Sequence, residues 1–145
     1  MLGRTAKWLR MLGFNVFYDN KAADADLKKL CLEENRVLLT KDVALHESMP
    51  HGSSRLVAAV HTREQLAEVV SSFRLDRFAL HPRCSLCNGA LVPVQKESVQ
   101  DWVPPYVFRT QSAFQRCCLC RKVYWPGTHL GKIVQVCRMI RKASG

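Results

Sequence analysis

Four cysteines in two C-x-x-C pairs offer the most specific chemistry in this chain. Each C-x-x-C turn places two thiolates on one side of a tight loop, and two such turns supply the tetrahedral shell of a structural Zn²⁺. Disulfide bonds, or one redox-active pair, are the alternatives, but a redox pair normally opens a helix after a strand. These pairs lie in loop-like sequence, with His81-Pro82-Arg83 before the first pair and Asn88-Gly89 after it. We therefore predict one Zn²⁺ held by Cys84, Cys87, Cys117 and Cys120.

Cys118 is the competing ligand in the second pair, because it forms a C-x-C with Cys120. Spacing alone favours Cys117 over Cys118. The chain has seven cysteines, an odd number, and no convincing secretion signal. These features indicate a reducing intracellular compartment, cytoplasmic or nuclear, where thiols stay free or bind metal.

Aspartates at the expected ends of strands form the second group of candidate residues. Residues at the carboxyl ends of parallel strands lie at the sheet edge where ligands bind. Asp19 and Asp42 each follow a predicted strand, and Asp24 and Asp26 begin the neighbouring helix. Carboxylate clusters hold Mg²⁺ or Mn²⁺, which activate water for cleavage of a phosphodiester. Pattern alone favours the simpler reading, in which these acids stabilise helix starts.

Alternating strands and helices are predicted to position these aspartates. Residues 2–12 form a basic amphipathic helix that stops at Gly13, a pattern that a mitochondrial presequence also shows. Thr62 and Gln65 form a capping box that opens the last helix of this part. The alternation predicts an α/β fold with a mostly parallel sheet. Strands are predicted at residues 14–18, 37–40 and 55–60, with helices starting near Asp24, after Asp42 and at Thr62.

The cysteine pairs belong to a small zinc ribbon in the second half of the chain. Short strands at residues 90–94 and 123–125 follow the two knuckles. The insert between the knuckles has no obvious core, and its Val103-Pro104-Pro105-Tyr106 segment is predicted to be irregular. We predict an α/β domain at residues 1–80, a linker at 75–82, a zinc ribbon at 81–129 and a basic tail at 130–145.

Composition and charge indicate a folded protein with an anionic partner. Apolar content of 48% and charged content of 23% describe a folded rather than a disordered chain, and no window approaches a transmembrane span. Residues 1–80 carry 12 Lys/Arg and 10 Asp/Glu, whereas residues 81–145 carry 10 and 2. This asymmetry favours RNA or single-stranded nucleic acid as partner, although a solvated basic surface is the simpler alternative. Candidate residues for base stacking are Trp102, Tyr106, Tyr124 and Trp125.

Six stretches in order carry a resemblance that covers most of the chain, from Met1 to His129. They are MLGRTAKWLRMLGFNVFYD, ADADL, RVLLTKD, RCSLCNGALVPV, VPPYV and RCCLCRKVYWPGTH. Together they resemble the Mut-seven C-terminal RNase family. The resemblance implies a PIN-like nuclease fold followed by a zinc ribbon, with the first helix belonging to the fold rather than to a presequence.

The same resemblance implies ion ligands and shows one departure. Asp24 (or Asp26) and Asp42 match acidic positions of the family. Family members usually have a further strand before the first helix, ending in an aspartate, and a chain that starts at Met1-Leu2-Gly3 has neither. We therefore expect an N-terminally truncated domain with little Mg²⁺- or Mn²⁺-dependent ribonuclease activity. Animal Mut-seven exonuclease homologues carry such a domain beside a DEDD-type exonuclease domain, which nothing here matches.

Three functional readings follow. The first is a metal-dependent nuclease acting on RNA, with phosphate contacts from the basic residues Arg4, Lys7, Arg10 and Lys41. The second is a nucleic-acid-binding module without activity, and the third is an interaction domain of a larger exonuclease. Salt-dependent RNA affinity separates the second reading from the third.

Overall fold

The computed structural model describes residues 2–73, 81–127 and Gln135. Most of the predicted linker at 75–82 and all of the predicted tail at 130–145 except Gln135 lie outside the described residues. None of the helices described is long and apolar enough to cross a bilayer. The N-terminal part contains α1 (Gly3–Met11), α2 (Asp24–Glu33), β1 (Leu38–Thr40), α3 (Val43–Glu47), β2 (Ser54–Leu56) and α4 (Thr62–Ser72).

Strands β1 and β2 form a parallel sheet, so the predicted mixture of helices with parallel strands is confirmed. Leu38 lies opposite Ser54, and Thr40 lies opposite Leu56. A parallel pair requires a crossover connection, and here α3 provides it. β2 ends at Leu56, earlier than predicted.

The predicted strand at residues 14–18 is wrong, because this segment has no regular secondary structure. Side chains satisfy the main chain of Val16 at its centre instead. The Val16 N–H donates to Asn88 Oδ1 at 3.0 Å, and the Val16 carbonyl accepts from Arg10 Nε at 2.9 Å. Backbone groups that are paired in this way need no neighbouring strand.

Helix α1 ends at the glycine that the sequence predicts. Gly13 has φ 101°, a conformation that glycine adopts without steric penalty. Its N–H donates to the Arg10 carbonyl at 2.9 Å, and the Phe14 N–H donates to the Leu9 carbonyl at 3.0 Å. These two bonds form a Schellman motif. A Cβ at Gly13 would also lie 3.0 Å from the His81 carbonyl oxygen, so the C-terminal part approaches closely here.

Helices α1 and α4 pack against each other in the main core of the N-terminal part. The predicted capping box is wrong, because no side chain caps α4. Gln65 is buried instead, accepting from Thr5 Oγ1 at 2.5 Å and donating to the Ala59 carbonyl at 3.0 Å. A buried amide without partners is costly, so these bonds decide its position. The buried apolar residues are Leu9, Leu12, Val57, Leu66, Val69 and Val70.

Glu68 on α4 orders the backbone that leaves β2. Its carboxylate accepts the N–H groups of Ala58 and Ala59, both at 3.1 Å. The bond from Ala58 is the main cause that lowers the pKa of Glu68 below its usual value. The charged form of Glu68 therefore stabilises the fold.

The C-terminal part is built on an antiparallel sheet with the strand order β3-β4-β5. Strands after both knuckles are confirmed, whereas β4, the central strand, was not predicted. The elements are β3 (Leu91–Val94), a 3₁₀ helix (Lys96–Trp102), α5 (Pro105–Thr110), β4 (Phe114–Cys117) and β5 (Val123–Tyr124).

The insert between the knuckles has a core of its own, which corrects the prediction that it lacks one. Val99, Val103 and Val107 recur every fourth residue and are buried against Phe114 and Val123. The segment with two prolines is partly regular, because Pro105 begins α5. Proline suits the first helical position, where its missing N–H would have no partner.

Candidate metal centre and carboxylate cavity

Four cysteine sulfurs come together between the knuckles, all within 4.8 Å of one another. The shortest separations are 3.3 Å for Cys87–Cys117 and 3.6 Å for Cys84–Cys120. Tetrahedral Zn²⁺ with Zn–S bonds of about 2.3 Å places its sulfurs about 3.8 Å apart. A disulfide requires about 2.05 Å, and these four cysteines are free. The cluster therefore fits a structural zinc ion, and Cys118, which is exposed, lies outside it.

Both knuckles have the same backbone conformation. In each, the residue after the second cysteine donates its N–H to the carbonyl of the first cysteine, at 2.9 and 3.1 Å. That residue has φ 70° in one knuckle and 68° in the other. The N–H of the first cysteine then donates to the carbonyl five residues on, at 2.9 Å in both. The residues concerned are Cys84, Asn88 and Gly89 in the first knuckle and Cys117, Arg121 and Lys122 in the second.

Two residues outside the cysteine pairs shape the centre, and sequence reasoning assigned neither of them to it. A Cβ at Gly89 would lie 2.7 Å from Cys117 Sγ, so glycine permits the knuckles to approach. The Tyr124 hydroxyl lies 3.1 Å from Cys84 Sγ and accepts the Ser85 N–H at 3.1 Å. Burial, followed by the bond to Cys84, raises the pKa of Tyr124 to about 12, so the hydroxyl stays protonated. No feature of the sequence predicts this bond.

The thiols differ strongly in acidity. Burial by itself raises the pKa of Cys117, but N–H groups of Cys120 and Leu119 outweigh it and lower the pKa to about 6. At Cys120 the Lys122 N–H lowers the pKa, but burial and the three neighbouring cysteines outweigh it and raise the pKa to about 12. Four sulfurs this close cannot all ionise without a compensating cation. Binding of Zn²⁺ supplies that charge and deprotonates them.

Arg10 joins α1 to the metal centre and is not available for the phosphate contact predicted from the sequence. Its side chain is buried, with 6% exposure. Nη1 donates to the carbonyls of Ser85 and Leu86, at 3.0 and 3.3 Å, and Nε donates to Val16. Ser85 and Leu86 lie between the two cysteines of the first knuckle. The buried guanidinium therefore positions that knuckle against the N-terminal part.

The other predicted phosphate contacts have different environments. Arg4 and Lys7 are exposed on α1. Lys41 is partly buried, and its Nζ donates to the carbonyls of Ala59 at 2.6 Å and Val57 at 3.5 Å. Arg4 and Lys7 thus keep free access to solvent, whereas Lys41 holds the chain after β2.

Two of the three predicted catalytic aspartates line one cavity. This cavity, of about 810 Å³, lies beside α1, α2 and β1, and its lining includes Asp19, Asp24 and Asp42 but not Asp26. Asp42 follows β1 and caps α3, because its Oδ1 accepts the Leu45 N–H at 3.0 Å. Asp24 and Asp26 are exposed in the first turn of α2. The simpler reading is therefore confirmed, since Asp42 caps α3 and Asp24 and Asp26 lie at the start of α2.

The carboxylates do not converge as the cysteines do. Within residues 2–73 and 81–127, the cysteine cluster is the only set of three or more metal-binding side chains close enough to share an ion. Mg²⁺ usually takes one or two carboxylates together with phosphate oxygens and water. Asp24 and Asp42 share the lining of one cavity with Asp19.

The four aromatic candidates for base stacking divide into two pairs. Trp102 and Tyr106 are 60% and 63% exposed. The Tyr124 hydroxyl contacts Cys84 Sγ at the metal centre. Trp125 packs edge-to-face against Phe114, with ring centroids 6.5 Å apart. Only the first pair presents an open ring.

No curated protein and no solved structure is significantly similar to this chain. The sequence profile of the Mut7-C RNAse domain matches residues 1–137, a range that contains both cysteine pairs and every candidate aspartate. The match spans the residues that line the cavity, the four clustered cysteines and Arg10. The chain therefore belongs to the Mut7-C RNAse domain family.

Proposed function

We propose that the chain is the nucleic-acid-processing domain of a metal-dependent ribonuclease, with a structural Zn²⁺ at the four cysteines. The observation that carries this proposal is the location of Asp24 and Asp42 on one cavity at the end of β1, in a member of an RNase family. A Mg²⁺ or Mn²⁺ ion held there by Asp24 and Asp42 would supply an activated water and would compensate phosphate charge.

The chain's own residues then have separate tasks. Asp42 Oδ1 accepts the Leu45 N–H, which fixes the carboxylate that would help to hold the ion. Asp24 contributes a second carboxylate from the first turn of α2. Arg4 and Lys7 attract the strand, since both are exposed cations on α1. The domain architecture that goes with this is a PIN-like part at residues 1–80 and a zinc ribbon at 81–129.

Cleavage of an end-labelled single-stranded RNA in Mn²⁺ tests the proposal. Asp42→Asn keeps a capping side chain and removes the charge, so it should abolish cleavage while the melting temperature changes little. Asp24→Asn should do the same, and Asp26→Asn should cause a smaller loss. Glu47→Gln, an exposed acid on α3, is the matched control. Equal cleavage by the Asp42→Asn, Asp24→Asn and unaltered chains would point to a contaminating nuclease.

A second candidate is a non-catalytic module that binds RNA or contacts other domains of a larger exonuclease. The observation in its favour is that Asp42 already serves as a helix cap and that, in the part of the chain described, no three carboxylates lie close enough to share one ion. This reading predicts no cleavage by the unaltered chain. Affinity for RNA that falls steeply with salt would identify a binding module, and salt-independent or absent affinity an interaction domain.

A further inference from the structure

Trp102 and Arg116 form an arginine–aromatic pair on the surface of the C-terminal part. Trp102 ends the 3₁₀ helix, and 60% of its surface is exposed. The Arg116 guanidinium carbon lies 4.9 Å from the centre of the Trp102 ring. An arginine over one face of an indole holds the ring in place and leaves the other face available for stacking.

The sheet determines where this arginine lies. Arg116 is on β4, the central strand, opposite Val92 on one side and Val123 on the other. Because side chains alternate along a strand, Arg116 points to the same face as Phe114, which is buried in the core. The stem of Arg116 therefore leaves the core, and its guanidinium meets Trp102 at the rim.

One edge of the Arg116 guanidinium has no partner. Nε and Nη2 are both buried and make no hydrogen bond. Across residues 2–73 and 81–127, no carboxylate pairs with this arginine. Nε and Nη2 together form the side edge of the guanidinium, which binds phosphate through two parallel hydrogen bonds. Buried donors without partners indicate a ligand or water that completes them.

We propose that Trp102 and Arg116 bind single-stranded nucleic acid, with a base stacked on the open face of the indole and a phosphate on the Nε–Nη2 edge. This inference deepens the proposed function, on which it rests for the class of ligand. Both nitrogens of that edge are buried in the unbound structure, so the proposal requires the side chains around them to move when the phosphate binds. Charge supports an anionic strand, because residues 81–127 carry six Lys/Arg and two Asp/Glu.

Binding of a fluorescein-labelled 2′-O-methyl RNA of about 12 nucleotides tests the site by anisotropy, with zinc-loaded chain and no Mg²⁺ or Mn²⁺. Trp102→Ala should weaken binding about five- to hundred-fold, the range that loss of one stacked base produces. Trp102→Phe should recover most of the affinity. Leu32→Ala, which removes an apolar side chain on α2 that is 59% exposed, is the control and should change affinity less than about twofold.

Arg116→Lys tests the two parallel hydrogen bonds of the guanidinium separately from its positive charge. It should weaken binding about five-fold or more and leave the salt dependence unchanged, since lysine keeps the charge but loses the two parallel bonds. Arg109→Lys, at an exposed arginine on α5, should leave affinity unchanged. An abasic strand of the same length should bind Trp102→Ala and the unaltered chain equally.

The inference is overturned if Trp102→Ala and Leu32→Ala behave alike, or if the abasic strand responds to Trp102→Ala as the normal strand does. It is also overturned if the unaltered chain shows no affinity for RNA, an outcome that favours a protein contact for this surface. Because the 2′-O-methyl RNA cannot be cleaved and no Mg²⁺ or Mn²⁺ is added, the binding measurement tests the site even if the domain has no catalytic activity. The aspartate variants test catalysis separately.

Discussion

Arg10→Met should destabilise the protein by breaking the contact between α1 and the first knuckle. The guanidinium donates three hydrogen bonds to carbonyls, two of them at 2.9 and 3.0 Å. Hydrogen bonds from a charged group contribute about 1.5 kcal/mol each at the low end, so losing these two removes about 3 kcal/mol. Methionine fills the volume of the arginine stem, which limits any additional packing loss.

Thermal denaturation measures this loss. In a chain of this size, about 3 kcal/mol lowers the melting temperature by about 10 °C. The carbonyls of Ser85 and Leu86 lose their donor at the same time, so zinc should pass to a competing chelator faster than from the unaltered chain. Lys7→Met on the exposed face of α1 is the matched control and should change stability by less than about 0.5 kcal/mol.

A different result would refute this reasoning. If Arg10→Met leaves the melting temperature and the zinc release unchanged but weakens RNA binding, Arg10 contacts phosphate in solution. The buried position of the side chain, with 6% exposure, would then not describe the working protein.

Gly13→Ala should lower the free energy of unfolding by about 1–3 kcal/mol, because φ 101° and the nearby His81 carbonyl both disfavour a Cβ; an unchanged urea midpoint would contradict this. Glu68→Gln should cost about 1 kcal/mol at neutral pH. Its carboxylate has a lowered pKa in the folded state, so the stabilisation is present above about pH 4.3 and is lost as pH falls through that lower pKa. The difference between Glu68→Gln and the unaltered chain should therefore be largest near pH 7 and shrink as the pH falls below about 4.3. Cys120→Ser should release zinc and Cys118→Ser should retain it in metal analysis; the reverse order would reassign the ligand.

Features that depend on a few neighbouring residues were predictable. The end of α1 needs a residue that adopts positive φ, and Gly13 provides it. The start of α2 at Asp24 and the position of β1 after Asn35 follow from acids at a helix start and a short apolar run. Asn35, with φ 53°, is the terminator between them.

Features that depend on distant partners were not predictable. Residues 14–18 read as a strand because they are apolar and aromatic, yet Arg10 and Asn88 satisfy the main chain of Val16. The core of the insert forms only when Phe114 and Val123 close over the valines of the 3₁₀ helix and α5. Apolar residues in an irregular stretch do not show in advance which strand covers them.

By itself the sequence favoured the four sulfurs that meet, because the two-residue spacing of a knuckle constrains both cysteines through one short turn, and the structure then placed Cys118 outside the cluster. Only the tertiary structure decided the roles of the long polar side chains. Arg10 could have reached solvent from a basic helix, and Arg116 could have projected from any strand. In the folded chain Arg10 is buried and donates to backbone carbonyls. Arg116 packs beside Trp102, and its Nε and Nη2 have no hydrogen-bond partner. A flexible charged side chain takes its partner from whatever surface folds against it, and that surface comes from residues far away in the chain.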